Sequence, residues 1–122
     1  MPTGLENLKI YQMAEALEID VYKVIKDFPK EEKYGSADQI KRLSAAVANN
    51  IAEGYTRHSY AEKTRYMYIA KGEAEETKRN LIRSAKKEFI VDSVANDLAN
   101  RYTSLLKAIS GYIRFIKEKS AI

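Results

Sequence analysis

Apolar residues recur along this chain in steps of three and four, in four separate stretches. That period marks one buried face of a helix. The first stretch predicts a helix from about Asn7 to Phe28, with Ile10, Ala14, Leu17, Val21, Val24 and Phe28 along one seam. Pro29 ends it, because the residue before a proline is pushed out of the helical region, and Gly35 marks the turn that follows. The second helix is expected from Ser36 to Tyr55, on a seam of Ile40, Leu43, Val47 and Ile51. Ser36 and Gln39 have capping-box spacing, and Gly54 reads as a C-terminal stop. The third opens with a second capping-box pattern, Ser59-Tyr60-Ala61-Glu62, and runs to about Lys87. Its seam of Met67, Ala70, Ala74, Thr77 and Leu81 is narrow, so a neighbouring helix can approach closely. Gly72 within it costs about 1 kcal/mol of helix propensity against Ala. The fourth starts after Asp92, a candidate N-cap, and runs to about Lys119, with Ala95, Leu98, Tyr102, Leu105, Ile109, Tyr112 and Ile116 facing inward.

Four seams of similar length on short connections predict an all-α fold, an antiparallel up-down-up-down four-helix bundle. It is read as a single domain over residues 1–122. Alternating strand patterns, low-complexity segments and short tandem repeats are absent from the sequence. The first helix carries a second apolar strip, Leu8, Tyr11, Ile19 and Tyr22, and the fourth adds Leu106 and Ile113. Either other subunits cover these strips or they widen the arc that faces the core.

Composition narrows the chemistry. The chain has 122 residues, no cysteine and a net charge of +4. A chain this long buries roughly two-thirds of its unfolded surface without staples. Without cysteine there are no disulfides, thiolate metal sites or cysteine nucleophiles. The stretch MPTGLENLKIYQ has neither a basic nor an apolar leader region, and every helix-sized window carries charge. No signal peptide or membrane span is therefore expected, and the expected location is cytoplasmic.

Candidate catalytic chemistry is sparse. The lone histidine, His58, has Tyr55 three residues before it, so the Glu-x-x-His pairs of di-iron bundles are missing. An exposed turn histidine is the expectation. The glycines are scattered and form no phosphate-cradling loop. Glu73, Glu75 and Glu76 cluster in sequence but splay around a helix axis, so they share one ion poorly. The expectation is a protein without catalytic residues, metal or cofactor.

Polar patterning is more informative. Arg42, Ala46, Asn49 and Glu53 lie opposite the second helix's seam, as a solvated face or a face toward a partner subunit. Asn50 lies between this line and the seam. Glu53 is expected to accept hydrogen bonds or an ion pair from a basic group, with Arg42 of another subunit one candidate. On the third helix Arg65, Arg79, Arg83 and Lys86 fall on one side with Tyr68, and Arg57 and Lys87 extend them. From Arg57 to Lys87 nine Lys/Arg face four Glu, a charge of +5 that exceeds that of the whole chain. Aligned cations neutralise phosphates, and an exposed tyrosine can stack on an unpaired base. A solvated basic face is the competing reading. No side-chain set resembles a sequence-reading module, so binding would follow backbone charge and shape.

Residues 39–57, QIKRLSAAVANNIAEGYTR, carry a resemblance. With Gln39-Ile40 and Arg42 ahead of Asn50-Ile51-Ala52-Glu53-Gly54, the chain resembles the 23S rRNA intervening-sequence protein family, bacterial four-helix-bundle proteins often encoded inside insertions in the large rRNA gene. The similarity extends to Leu8 through Pro29, to Glu32-Lys33-Tyr34-Gly35, and to Tyr68-Ile69-Ala70, Gly72 and Glu76. Where the family commonly has a glycine-containing turn before the last helix, this chain has Lys87-Glu88-Phe89-Ile90. The resemblance implies a small bundle assembled as a ring, a homopentamer. It also implies a fold shared with the accessory variability determinant of diversity-generating retroelements, a basic ring that binds a reverse transcriptase and nucleic acid.

These readings lead to a non-catalytic, oligomeric, nucleic-acid-associated protein, with RNA favoured over DNA. The alternative is a protein-binding scaffold or adaptor whose basic face meets an acidic protein, and a nuclease comes third.

Overall fold

Each of the four seams becomes the buried face of a helix in the computed structural model. The structure describes residues 4–121, so the ends of the predicted 1–122 domain, residues 1–3 and 122, lie outside the described residues. The helices are α1 (Lys9–Ile25), α2 (Ser36–Thr56), α3 (Tyr60–Lys86) and α4 (Asp92–Ser120), with one 3₁₀ turn at Lys30–Glu32. No strand occurs among the described residues. Each helix packs on its chain neighbours, and α4 closes the square against α1. Neighbours run antiparallel. Phe28, just past α1, meets Phe89 at the α3–α4 turn with ring centroids 5.8 Å apart.

Helix ends differ from the sequence expectation in instructive ways. α1 stops at Ile25 rather than Phe28. The Asp27 and Phe28 amides donate to carbonyls three residues back, of Val24 and Ile25, so the last turn tightens before Pro29. Ile25 thereby takes the buried place expected of Val24, which is half-buried, and Phe28 still reaches the core. Ser36 is the first residue of α2 and caps nothing; its amide donates to the Glu32 carboxylate at 3.3 Å. Gly35 occupies the N-cap position. Asp92 likewise lies inside α4, and Val91 is the N-cap. Ser59 does cap α3, its hydroxyl accepting from the Glu62 amide at 3.1 Å.

The core is filled by large side chains such as Leu17, Ile40, Ile51, Met67, Leu81 and Tyr102. Two buried hydroxyls are satisfied by their own helices. Thr77 donates to the Glu73 carbonyl at 2.7 Å, and Ser44 donates to the Lys41 carbonyl at 3.1 Å. Of the extra apolar strips, Ile113 is buried, while Leu8, Tyr11 and Leu106 pack partly against the core. Only Ile19 and Tyr22 stay about half exposed, at 49% and 47%.

Gly54 corrects a prediction. It lies inside α2, buried, and does not terminate the helix. A Cβ there would sit 2.9 Å from Tyr66 Cβ and Met67 Cε and 3.3 Å from the Lys63 carbonyl. Glycine is therefore what allows α3 to lie this close to α2.

Candidate nucleic-acid interface

At 100° per residue, Arg65 and Arg83 share one angular position on α3, and Arg79, Lys86 and Tyr68 lie within about 60° of it. The seam occupies the opposite side, so the predicted basic stripe faces outward. Arg65, Tyr68, Arg79, Arg83 and Lys86 are all exposed. Arg65 to Lys86 spans roughly 32 Å at about 1.5 Å per residue. That length matches about nine phosphates of one strand at ~3.4 Å spacing.

Outward position does not make every cation free. Arg65 Nε donates to Glu62 at 2.9 Å, and Arg79 lies 3.9 Å from Glu75. Each pair stays on its own helix and solvent-exposed, so it partly neutralises the stripe and stabilises little. The Arg65 hydrogen bond and charge hold the Glu62 carboxyl below its usual range. Arg83 donates to the Asn80 amide oxygen at 3.0 Å and keeps its charge uncompensated. Lys86 has no carboxylate within ion-pair distance among the described residues, and neither has Lys87, whose ammonium lies 5.9 Å from the Phe89 ring centroid.

Arg57 does not join the stripe. Its guanidinium donates to Glu53 at 2.6 Å and to the Tyr66 hydroxyl at 2.8 Å, and it stacks over the Tyr66 ring. It staples the end of α2 to the start of α3. The same contact supplies Glu53 with its basic partner from within the chain. Arg42 pairs with Asp38 at 3.0 Å. Asn50 donates to the Ala46 carbonyl on its own helix and bridges to no neighbouring helix among the described residues. Gln39 is exposed.

The structure adds a second row of cations from α4. Lys117 Nζ donates to the Tyr68 hydroxyl at 3.0 Å and lies over the Tyr68 ring. That hydrogen bond and the ammonium charge hold the Tyr68 phenol below its ordinary value. Next to this contact, a groove of about 460 Å³ runs between α3 and α4, lined by Lys71, Glu75, Leu106, Lys107, Ser110 and Arg114. Lys71, Lys107, Arg114 and Lys117 make no ion pair among the described residues. The periodic spacing of Lys107, Arg114 and Lys117 was visible in the sequence, but their union with the α3 stripe depends on packing between residues 49 apart.

Other candidate chemistry stays dispersed. His58 is exposed in the α2–α3 turn. Glu75 is held by Arg79, and Glu73 is half-buried with its carboxyl raised by burial and by Glu76. No group of His, Asp or Glu suited to a metal occurs among the described residues, and no helix is long and apolar enough to cross a membrane.

A bundle of four antiparallel helices whose charged side chains lie on its outer faces belongs to the class of small helical-bundle proteins. Within that class, residues 6–111 match the 23S rRNA-intervening sequence protein family, and the chain belongs to it. A solved structure from Bacteroides thetaiotaomicron, described as a protein of unknown function from the S23 ribosomal protein family, is similar. Its TM-score is 0.79 at 23% identity, over 85% of this chain and 97% of that one. Comparison with curated proteins finds no match.

Proposed function

We propose that this protein is a non-catalytic, nucleic-acid-associated protein that binds RNA in preference to DNA, through the combined α3–α4 face. The observation that carries this reading is the set of six cations on that face without carboxylate partners among the described residues: Lys71, Arg83, Lys86, Lys107, Arg114 and Lys117. Tyr68, 48% exposed among them, offers a ring for an unpaired base. Binding would be backbone-directed, because phosphate contacts position a strand without reading its sequence.

Self-association is part of the proposal. The half-exposed Ile19 lies on the α1–α2 side, away from the cationic face, so a neighbouring copy can cover it without blocking that face. A ring would repeat the face once per subunit. Titration of labelled single-stranded RNA and of duplex DNA of equal length, at increasing salt, tests the reading. Binding to RNA that weakens steeply with salt supports it. Absence of salt-dependent binding to either polymer would favour a scaffold whose basic face meets an acidic protein.

A further inference from the structure

The α1–α2 corner carries a second cationic feature, independent of the α3–α4 face. A cavity of about 430 Å³ opens there, on a floor of Ile25, Phe28, Pro29 and Ala37. Its walls include Tyr22 and Tyr34, and four lysines surround it: Lys26, Lys30, Lys33 and Lys41. The volume falls in the range of small-ligand sites, and an apolar floor with few polar groups at the rim is their usual construction.

Lysines outnumber carboxylates four to one in this lining, with Asp38 the one acid. No carboxylate lies within ion-pair distance of any of the four ammonium groups among the described residues. Asp38 also lines the cavity, but its carboxylate holds Arg42, and Glu32 accepts from the Ser36 amide. The lysines rest instead on aromatic faces. Lys26 and Lys41 lie 4.6 and 5.7 Å from the centre of Tyr22, and Lys33 lies 5.4 Å from that of Tyr34. Cation–π contact offsets part of the mutual repulsion of like charges, and a bound anion would offset more. Tyr34 is 86% exposed, the most exposed large hydrophobic side chain among the described residues. Its ring is open to stacking.

We infer that this cavity binds a phosphorylated nucleoside, with the phosphate among the lysines and the base against Tyr34 and the apolar floor. An inorganic anion would leave the aromatic wall and floor uncovered. An acidic peptide would match the lysines but not the flat ring. Two sources supply this chemistry: a free nucleotide, or the 5′-phosphorylated end of a strand.

The test is a ¹H–¹⁵N NMR titration of the full chain with 5′-AMP, adenosine and inorganic phosphate. The expected result is a set of shifts at Tyr22, Phe28, Lys33 and Tyr34, with 5′-AMP binding about tenfold more tightly than either fragment, because both halves of the site are used. Lys33→Gln and Tyr34→Ala change exposed side chains, so the fold is retained and the spectrum reports it. Each should weaken 5′-AMP by about tenfold. Replacing Lys71, Lys107, Arg114 and Lys117 by Gln should leave this binding unchanged, which separates it from the α3–α4 reading. Short oligonucleotides with and without a 5′-phosphate then distinguish the sources. Tighter capture of the phosphorylated strand than of 5′-AMP identifies a strand end; the reverse order identifies a free nucleotide. Shifts confined to α3 and α4, no shifts at all, or 5′-AMP binding no better than inorganic phosphate would overturn the inference.

Discussion

Tyr102 places a phenol oxygen inside the bundle with no hydrogen-bond partner among the described residues. Burial pushes this phenol far above its usual value, with the Glu18 charge adding to the effect. A folded-state pKa raised above the unfolded one gives stability that is complete below about pH 10 and is lost as pH rises toward the folded value. Tyr102→Phe should therefore be more stable at pH 7 by about 1 kcal/mol, since an unsatisfied hydroxyl is removed. The advantage should widen above about pH 10. Urea melts at both pH values check this; a variant less stable at pH 7 would show that the hydroxyl is bonded. Gly54 is the second position where one atom matters. Gly54→Ala sets a Cβ 2.9 Å from Tyr66 Cβ, which cannot rotate away as the end of Met67 can. Overpacking should exceed the helix-propensity gain, for a net loss of about 1–2 kcal/mol by chemical denaturation. A gain in stability would mean that α2 and α3 separate freely. Neighbouring Glu53 contributes less, because its pair with Arg57 is half exposed and such pairs stabilise by about 0.3–0.5 kcal/mol.

At the scale of elements, the α3–α4 turn shows how this chain closes without the glycine expected there. The Phe89 amide donates to the Ser84 carbonyl and the Glu88 amide to that of Ala85, which together form a Schellman cap. Glu88 takes the left-handed position at φ 65°. A side chain there costs roughly 1–2 kcal/mol, and glycine avoids it. Glu88→Gly should raise stability by about 1 kcal/mol after the entropy of the unfolded glycine is subtracted. A thermal melt shifted upward is the expected outcome, and a downward shift would locate the stability of this turn in the Glu88 side chain. The seams were legible in the sequence because apolar period and burial both follow from one helix's geometry, as Leu17, Ile51, Leu81 and Ile109 show. Caps were less legible. Ser59 and Ser36 carry the same spacing, yet Ser36 starts one residue too late, after the turn at Gly35. Gly54 read as a stop because nothing local to α2 announces the approach of Tyr66. The α3 half of the candidate site was legible from helical phase. Its α4 half and the inward turn of Arg57 depend on partners in other elements, which spacing along one helix does not encode.

Over the whole molecule, two cationic features lie on different sides of the bundle. The α3–α4 side carries cations that make no ion pair among the described residues, and the α1–α2 corner carries the lysine-rimmed cavity, with half-exposed Ile19 beside it. An assembly built on Ile19 leaves the α3–α4 side open. Light scattering at micromolar concentration should give a mass well above the 13.9 kDa of one chain, and Ile19→Lys should lower it. A monomer before any substitution would remove the ring and leave each cationic face to act alone.

The salt dependence of RNA binding tests the central claim most directly, when the wild-type protein is compared with two sets of variants. The six cations named on the α3–α4 face of one subunit predict a slope of log K against log salt of roughly −4 for a single strand, at about −0.7 per neutralised phosphate. Replacing Lys71, Lys107, Arg114 and Lys117 by Gln should flatten that slope by about 3. Replacing Arg65 and Arg79 by Gln should flatten it by less than about 1, because each already faces a carboxylate that its loss would release. Equal slopes in all three proteins, or a larger loss from the arginine pair than from Lys71, Lys107, Arg114 and Lys117, would contradict the account.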